Sequence, residues 1–149
     1  AAPWFSAGVA AEERGDLEGA AEAYRRAARS TPEPETCFNL GNVLYDLGRE
    51  VEAAERYLQA IEADSDFAEA WNNLGNAMAA MGKLEDAIHA YETALALEPA
   101  YADAHCNLAA VLERLGRPAQ ALEHRAACQK ASPSRRHLEL LRAADEADE

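Results

Sequence analysis

The stretch "LGNAMAAMGKLEDAIHAYETA" (74–94) contains two amphipathic segments joined by a glycine. Leu74 and Met78 stand four residues apart, the spacing that lines one face of a helix. Gly82 follows, where a left-handed cap ends a helix without a Cβ penalty. Ala87, Tyr91 and Ala94 then resume a helical period, and Pro99 stops it. The segment reads as a helix–turn–helix. The same pattern occurs at "AGVAAEERGDLEGAAEAYRRA" (7–27), "LGNVLYDLGREVEAAERYLQA" (40–60) and "LAAVLERLGRPAQALEHRAAC" (108–128), at offsets of 33, 34 and 34 residues. Four units follow, at about 1–33, 34–67, 68–101 and 102–135.

Each recurring column has a physical task. Gly8, Gly41 and Gly75, with Ala109 in the last unit, lie in the first helices, and Ala20, Ala53, Ala87 and Ala121 in the second. Small residues at both places let two antiparallel helices approach closely. Tyr24, Tyr57 and Tyr91 are the large core residues of the second helices, while Leu40, Leu44, Leu74, Leu108 and Leu112 supply the apolar stripe of the first.

These columns resemble the tetratricopeptide repeat family, and the third unit carries the match as Trp71, Leu74, Gly75, Met78, Ala87, Tyr91, Ala94 and Pro99. The resemblance implies an all-α, right-handed α-solenoid of antiparallel hairpins, with first helices lining a concave groove. The end units depart from the pattern. Ala7 and Ala11 thin the core of unit one, and Arg125 and Gln129 replace Tyr and Ile/Leu in unit four. A single domain is expected over 1–144, closed by a capping helix at about 135–144 that shields the last apolar face. The acidic tail at 145–149 would extend beyond it.

The formal net charge of −13 argues against nucleic acid, which needs a clustered Lys/Arg surface. No apolar run suits a bilayer span, so a cytoplasmic protein is expected, and the Ala-rich, Lys-poor composition points to a bacterial source. From the start at Ala1 without Met, a processed or excised chain is expected. Three cysteines, Cys37, Cys106 and Cys128, are an odd and sparse set. They argue against a disulfide framework and for a reducing compartment.

No phosphate loop, nucleophile elbow or CxxC motif appears, so no enzyme activity is expected. His124 and Cys128, with His105 and Cys106 on the neighbouring helix, are the one suggestive metal spacing. Cys128 instead reads as a core residue and His105 as a replacement for Trp4 and Trp71 in an interhelical column. No metal and no cofactor are expected.

The resemblance places residues flanking the Leu–Gly pair in the groove. Here these are Phe5, Phe38, Asn39, Asn42, Tyr45, Asn72, Asn73, Asn76 and Asn107. Asn39, Asn73 and Asn107 form a column at 34-residue spacing, similar to the asparagine ladder of O-linked GlcNAc transferases. A primary amide offers two donors and two lone pairs, and so can hold a peptide backbone whatever its side chains. Phe5, Phe38 and Tyr45 form an expected apolar anchor subsite. Glu12, Glu35, Asp46, Glu69 and Asp103 form an acidic rim, and Arg114 is the one cation near the groove. The expected partner is therefore a protein or peptide segment that is neutral or basic, with no nucleic acid and no membrane. Two alternatives remain open: a substrate-selecting region of a larger enzyme such as a glycosyltransferase, and a self-assembling adaptor.

Overall fold

The computed structural model describes residues 2–130. The expected capping helix, the acidic tail and the end of the fourth unit lie outside the described residues. Eight helices follow one another: α1 (Ala2–Glu13), α2 (Leu17–Ser30), α3 (Pro34–Asp46), α4 (Glu50–Ala63), α5 (Ala68–Ala80), α6 (Leu84–Leu97), α7 (Ala102–Arg114) and α8 (Pro118–Lys130). Among the described residues there is no strand.

Each helix packs on its neighbours in sequence, so the array grows in one direction. The first helices also meet: α3 touches α5 and α5 touches α7, and no contact of comparable extent joins the even-numbered helices. Odd helices closer together than even ones require a curved array, with the odd helices inside. The result is a tetratricopeptide-type solenoid whose concave face is made by α1, α3, α5 and α7.

The turns follow from their glycines. Gly15, Gly48, Gly82 and Gly116 all sit at positive φ, between 72° and 80°, a region that costs any residue with a Cβ. Inside the hairpins, Tyr24, Tyr57 and Tyr91 are almost fully buried and lie over Gly8, Gly41 and Gly75. A Cβ on Gly41 would come within 2.6 Å of the Tyr57 ring. Each tyrosine therefore requires its glycine. Unit four confirms the coupling from the other side: Arg125 replaces the tyrosine, and Ala109 replaces the glycine.

That replacement leaves Ala121 as the one buried residue of α8. Arg125 points outward and clasps Glu113 of α7 with two hydrogen bonds of 2.9 and 3.0 Å. This holds the Glu113 carboxyl below its ordinary range. Gln129 is exposed and Leu122 is 70% exposed.

The reading of the cysteines as arguing against a disulfide framework is corrected here. Cys106 of α7 and Cys128 of α8 form a disulfide with a Cα–Cα distance of 5.2 Å, and only Cys37 is free and buried. Cys106 occupies the column of Phe5, Phe38 and Asn72, and Cys128 that of Ala27, Ala60 and Ala94. In unit four the two columns meet across the hairpin, and the cysteine in each is brought into bonding range. Cys128 is accordingly half-buried and bridged rather than a plain core residue.

Candidate functional site: the concave groove

Two clefts open along the array, and the expected groove residues divide between them. The larger, about 860 Å³, lies at the N-terminal ends of α1, α3 and α5. Phe5, Phe38 and Asn39 line it, with Glu35 and Glu69. The ring of Phe38 lies tilted at 4.8 Å from Phe67, and Phe5 and Phe38 rest at 5.8 and 6.0 Å on Tyr24 and Tyr57. Phe67 also lines the cavity, as do Glu33 and Asp64. These three were not among the expected site residues because they precede the helices, outside the columns that flank Leu–Gly. Phe67 has a counterpart in Tyr101, 34 residues on, and that recurrence was the available signal. Burial, aided by Glu69 and Asp103 beside it, pushes the Tyr101 phenol up to about 12.

The second cleft, about 360 Å³, lies further along the inner face and is lined by Glu12, Asn42, Tyr45, Asp46, Tyr57, Asn73 and Asn76. Tyr45 is thus brought to a different cleft from Phe5 and Phe38, and the three do not form one aromatic subsite. Asp103 and Asn107 line neither cleft.

Hydrogen bonds link the asparagines into a chain. Asn107 Nδ2 donates to Asn72 Oδ1 at 3.1 Å, Asn72 Nδ2 to Asn73 Oδ1 at 3.1 Å, and Asn73 Nδ2 to Asn42 Oδ1 at 2.8 Å. The Tyr57 hydroxyl donates to the same Asn42 oxygen at 2.6 Å, and the Tyr91 hydroxyl to Asn76 Oδ1 at 2.6 Å. Asn72 is only 3% exposed, so its amide lies inside the stack and is not a groove contact. It sits where Phe38 sits one unit earlier, in the column that faces the next helix. Asn42 and Asn76 differ. A phenol fixes each amide oxygen, which leaves the NH₂ group as a donor beside the cleft.

Charge is segregated across the fold. Neither groove cleft is lined by any Lys or Arg. A smaller notch of about 240 Å³ between α2 and α4 holds Arg25, Arg29 and Arg56 instead. Among the described residues no group of three or more His, Cys, Asp or Glu is arranged to hold a metal ion, and no helix is long and apolar enough to cross a membrane.

Family models described as "TPR repeat" match residues 41–82 and 75–116, and one described as "Tetratricopeptide repeat" matches residues 1–33. The chain belongs to the tetratricopeptide repeat family. A crystal structure of MamA is 31% identical with a TM-score of 0.77, over 81% of this chain and 71% of that one. MamA from Desulfovibrio magneticus RS-1 is 23% identical with a TM-score of 0.81, covering 86% and 73%. The first tetratricopeptide domain of Spaghetti (RPAP3), bound to the HSP90 peptide SRMEEVD, is 24% identical with a TM-score of 0.74, covering 76% and 90%. No curated protein sequence matches the chain. Tetratricopeptide repeats are characteristically modules for protein interaction, and this chain is a scaffold for such interaction.

Proposed function

We propose that the concave face binds an extended segment of a partner protein, and that the segment is neutral or basic with an apolar anchor. The observation carrying this reading is the composition of the larger cleft: Phe5, Phe38 and Phe67 beside Glu33, Glu35, Asp64 and Glu69, with no cation among the lining residues. At about 860 Å³ it has the volume of a ligand pocket, and burying one aliphatic or aromatic side chain there contributes about 1.5–3 kcal/mol. The carboxylates then choose among anchors by charge, through complementarity and repulsion. In the second cleft, Glu12 and Asp46 continue the acidic wall. The NH₂ groups of Asn42 and Asn76 can meet main-chain carbonyls of the bound segment, and Asn39 serves the same end in the first cleft.

The RPAP3 domain shares the fold and holds SRMEEVD, a peptide with three carboxylate side chains. A groove walled by carboxylates suits the opposite sign. Fluorescence anisotropy with labelled peptides sharing one apolar anchor, and carrying positive, zero or negative net charge, tests the reading. The positive peptide should bind tightest and lose affinity as salt rises. Equal affinity across the three would overturn it.

A further inference from the structure

We infer that Cys106 and Cys128 form a thiol–disulfide exchange site whose oxidation state sets whether the last helix, α8, stays docked on the array. Helices α2, α4 and α6 each bury five residues, including a tyrosine, whereas α8 buries Ala121 alone among the described residues. Where its predecessors carry core side chains, α8 presents Arg125 and Gln129. The Arg125–Glu113 pair lies on the surface, with both side chains more than two-fifths exposed, and exposed ion pairs contribute little. Among the described residues, the apolar burial that docks the other hairpins is therefore reduced here to Ala121, and the covalent bridge adds to it beside the His105–His124 contact. It does so at a particular position: Cys106 and Cys128 stand in the columns of Phe38 and Ala60 of unit two.

The bridge joins residues 22 apart in sequence. Closing a loop of that length restrains the undocked state, by on the order of 100-fold in the docking equilibrium. Both cysteines are half-buried rather than sealed, so a small dithiol or a thioredoxin-like dithiol protein can reach the sulfurs. In the exchange, a thiolate of the reductant attacks one sulfur of the bridge and forms a mixed disulfide, and the other sulfur leaves as a thiolate and is protonated. The second thiol of the reductant then attacks the mixed disulfide, releases the remaining cysteine and closes its own disulfide. Two electrons and two protons pass to Cys106 and Cys128. Cys37 takes no part, since it is 1% exposed and lies in α3.

The consequence reaches the groove. Asn107 follows Cys106 and heads the hydrogen-bond chain that runs through Asn72 and Asn73 to Asn42. Loosening unit four removes the partner of Asn72 and shortens the ordered inner face by one repeat. This exchange does not depend on which segment the groove takes.

Hydrogen exchange followed by mass spectrometry on the full 149-residue chain tests it, before and after reduction with dithiothreitol. Oxidised protein should alkylate at Cys37 only once denatured, and reduced protein at all three cysteines. On reduction, amides of α8 should exchange on the order of 100-fold faster, while those of α1–α6 keep their rates. Cys106→Ser should reproduce the reduced pattern with or without dithiothreitol. Two results overturn the proposal: unchanged α8 exchange in the reduced wild-type chain, or Cys106 and Cys128 remaining free thiols after equilibration with glutathione disulfide.

Discussion

The Tyr57 hydroxyl donates to Asn42 Oδ1 at 2.6 Å across the second hairpin, and Tyr91 makes the same bond to Asn76 one repeat later. Each tyrosine thus does two things. Its ring fills the space above a glycine, and its hydroxyl holds a groove amide in place. Unit one has Val9 at the amide position, so the Tyr24 hydroxyl reaches one turn further and donates to Glu12 at 2.8 Å. Burial, and for Tyr24 also the Glu12 carboxylate, raises all three phenols above their ordinary range. They remain donors at any physiological pH. Packing and groove chemistry are coupled through one atom per repeat.

Tyr57→Phe should therefore destabilise the array by about 1 kcal/mol, the net contribution of a typical hydrogen bond. Asn42→Ala should cost more, about 2 kcal/mol, because it strips both the Tyr57 hydroxyl and the Asn73 amide of their acceptor. Urea denaturation of the two variants checks the ordering. An Asn42→Ala chain as stable as wild type would mean the amide chain carries no energy.

The glycine–tyrosine pairing makes a second prediction. Gly41→Ala places a methyl 2.6 Å from a ring that is 1% exposed and cannot retreat. Overpacking of that kind costs about 1–3 kcal/mol. Ala109→Gly, in the unit without the tyrosine, should cost only about 0.5–1 kcal/mol from helix propensity. Thermal melts of the two variants should separate them, and equal losses would show that the tyrosine ring is not what demands glycine.

The same column logic shows what could be read before the structure. Glycines at 33 and 34-residue offsets announced the hairpins, because each unit must solve the same packing problem. The Cys106–Cys128 bridge was misread, since a count of cysteines says nothing about which columns face each other. The signal available was the column register, which sets Cys106 with Phe38 and Cys128 with Ala60. Asn72 was misread for the opposite reason. One helix considered alone shows a shared face for Asn72, Asn73 and Asn76, but only the stacked neighbour decides which of them is covered. Asn72 is buried and bonded by Asn107 from the next repeat.

Local capping is uneven and testable. Asp16 caps α2, its side chain accepting from the Gly19 amide at 2.9 Å, whereas α3 to α7 show no side-chain cap. Asp16→Ala should cost about 1 kcal/mol, and Asp16→Asn much less, because the amide oxygen can still accept. Hydrogen exchange should place the loss in the first turn of α2. A uniform loss across the array would contradict a capping role.

The last prediction concerns acid. His105 Nε2 lies 2.8 Å from the Pro99 carbonyl, which can only accept, so the nitrogen carries the proton. Trp71 makes the same inter-unit bond to the Ser65 carbonyl at 3.0 Å. His105 Nδ1 and His124 Nδ1 lie 3.0 Å apart, one donating and the other accepting, and join α8 to α7. Burial, and then the His105 ring, hold His124 below its ordinary 6.5, against the opposing pull of Glu123 and Glu92. The unfolded chain thus binds a proton near pH 6.5 that the folded chain refuses. Stability should rise with pH through that region and fall as the solution is acidified below it. Glu22 and Glu113 do not confound the window: Arg26 and Arg125 hold their carboxyls low, so the stability they contribute is lost only below their ordinary 4.5. His124→Gln keeps a hydrogen-bond partner for His105 Nδ1 and removes the titration. Denaturation midpoints between about pH 7.5 and 5.5 should decline in wild type and flatten in the variant. Parallel slopes would exclude His124 as their source.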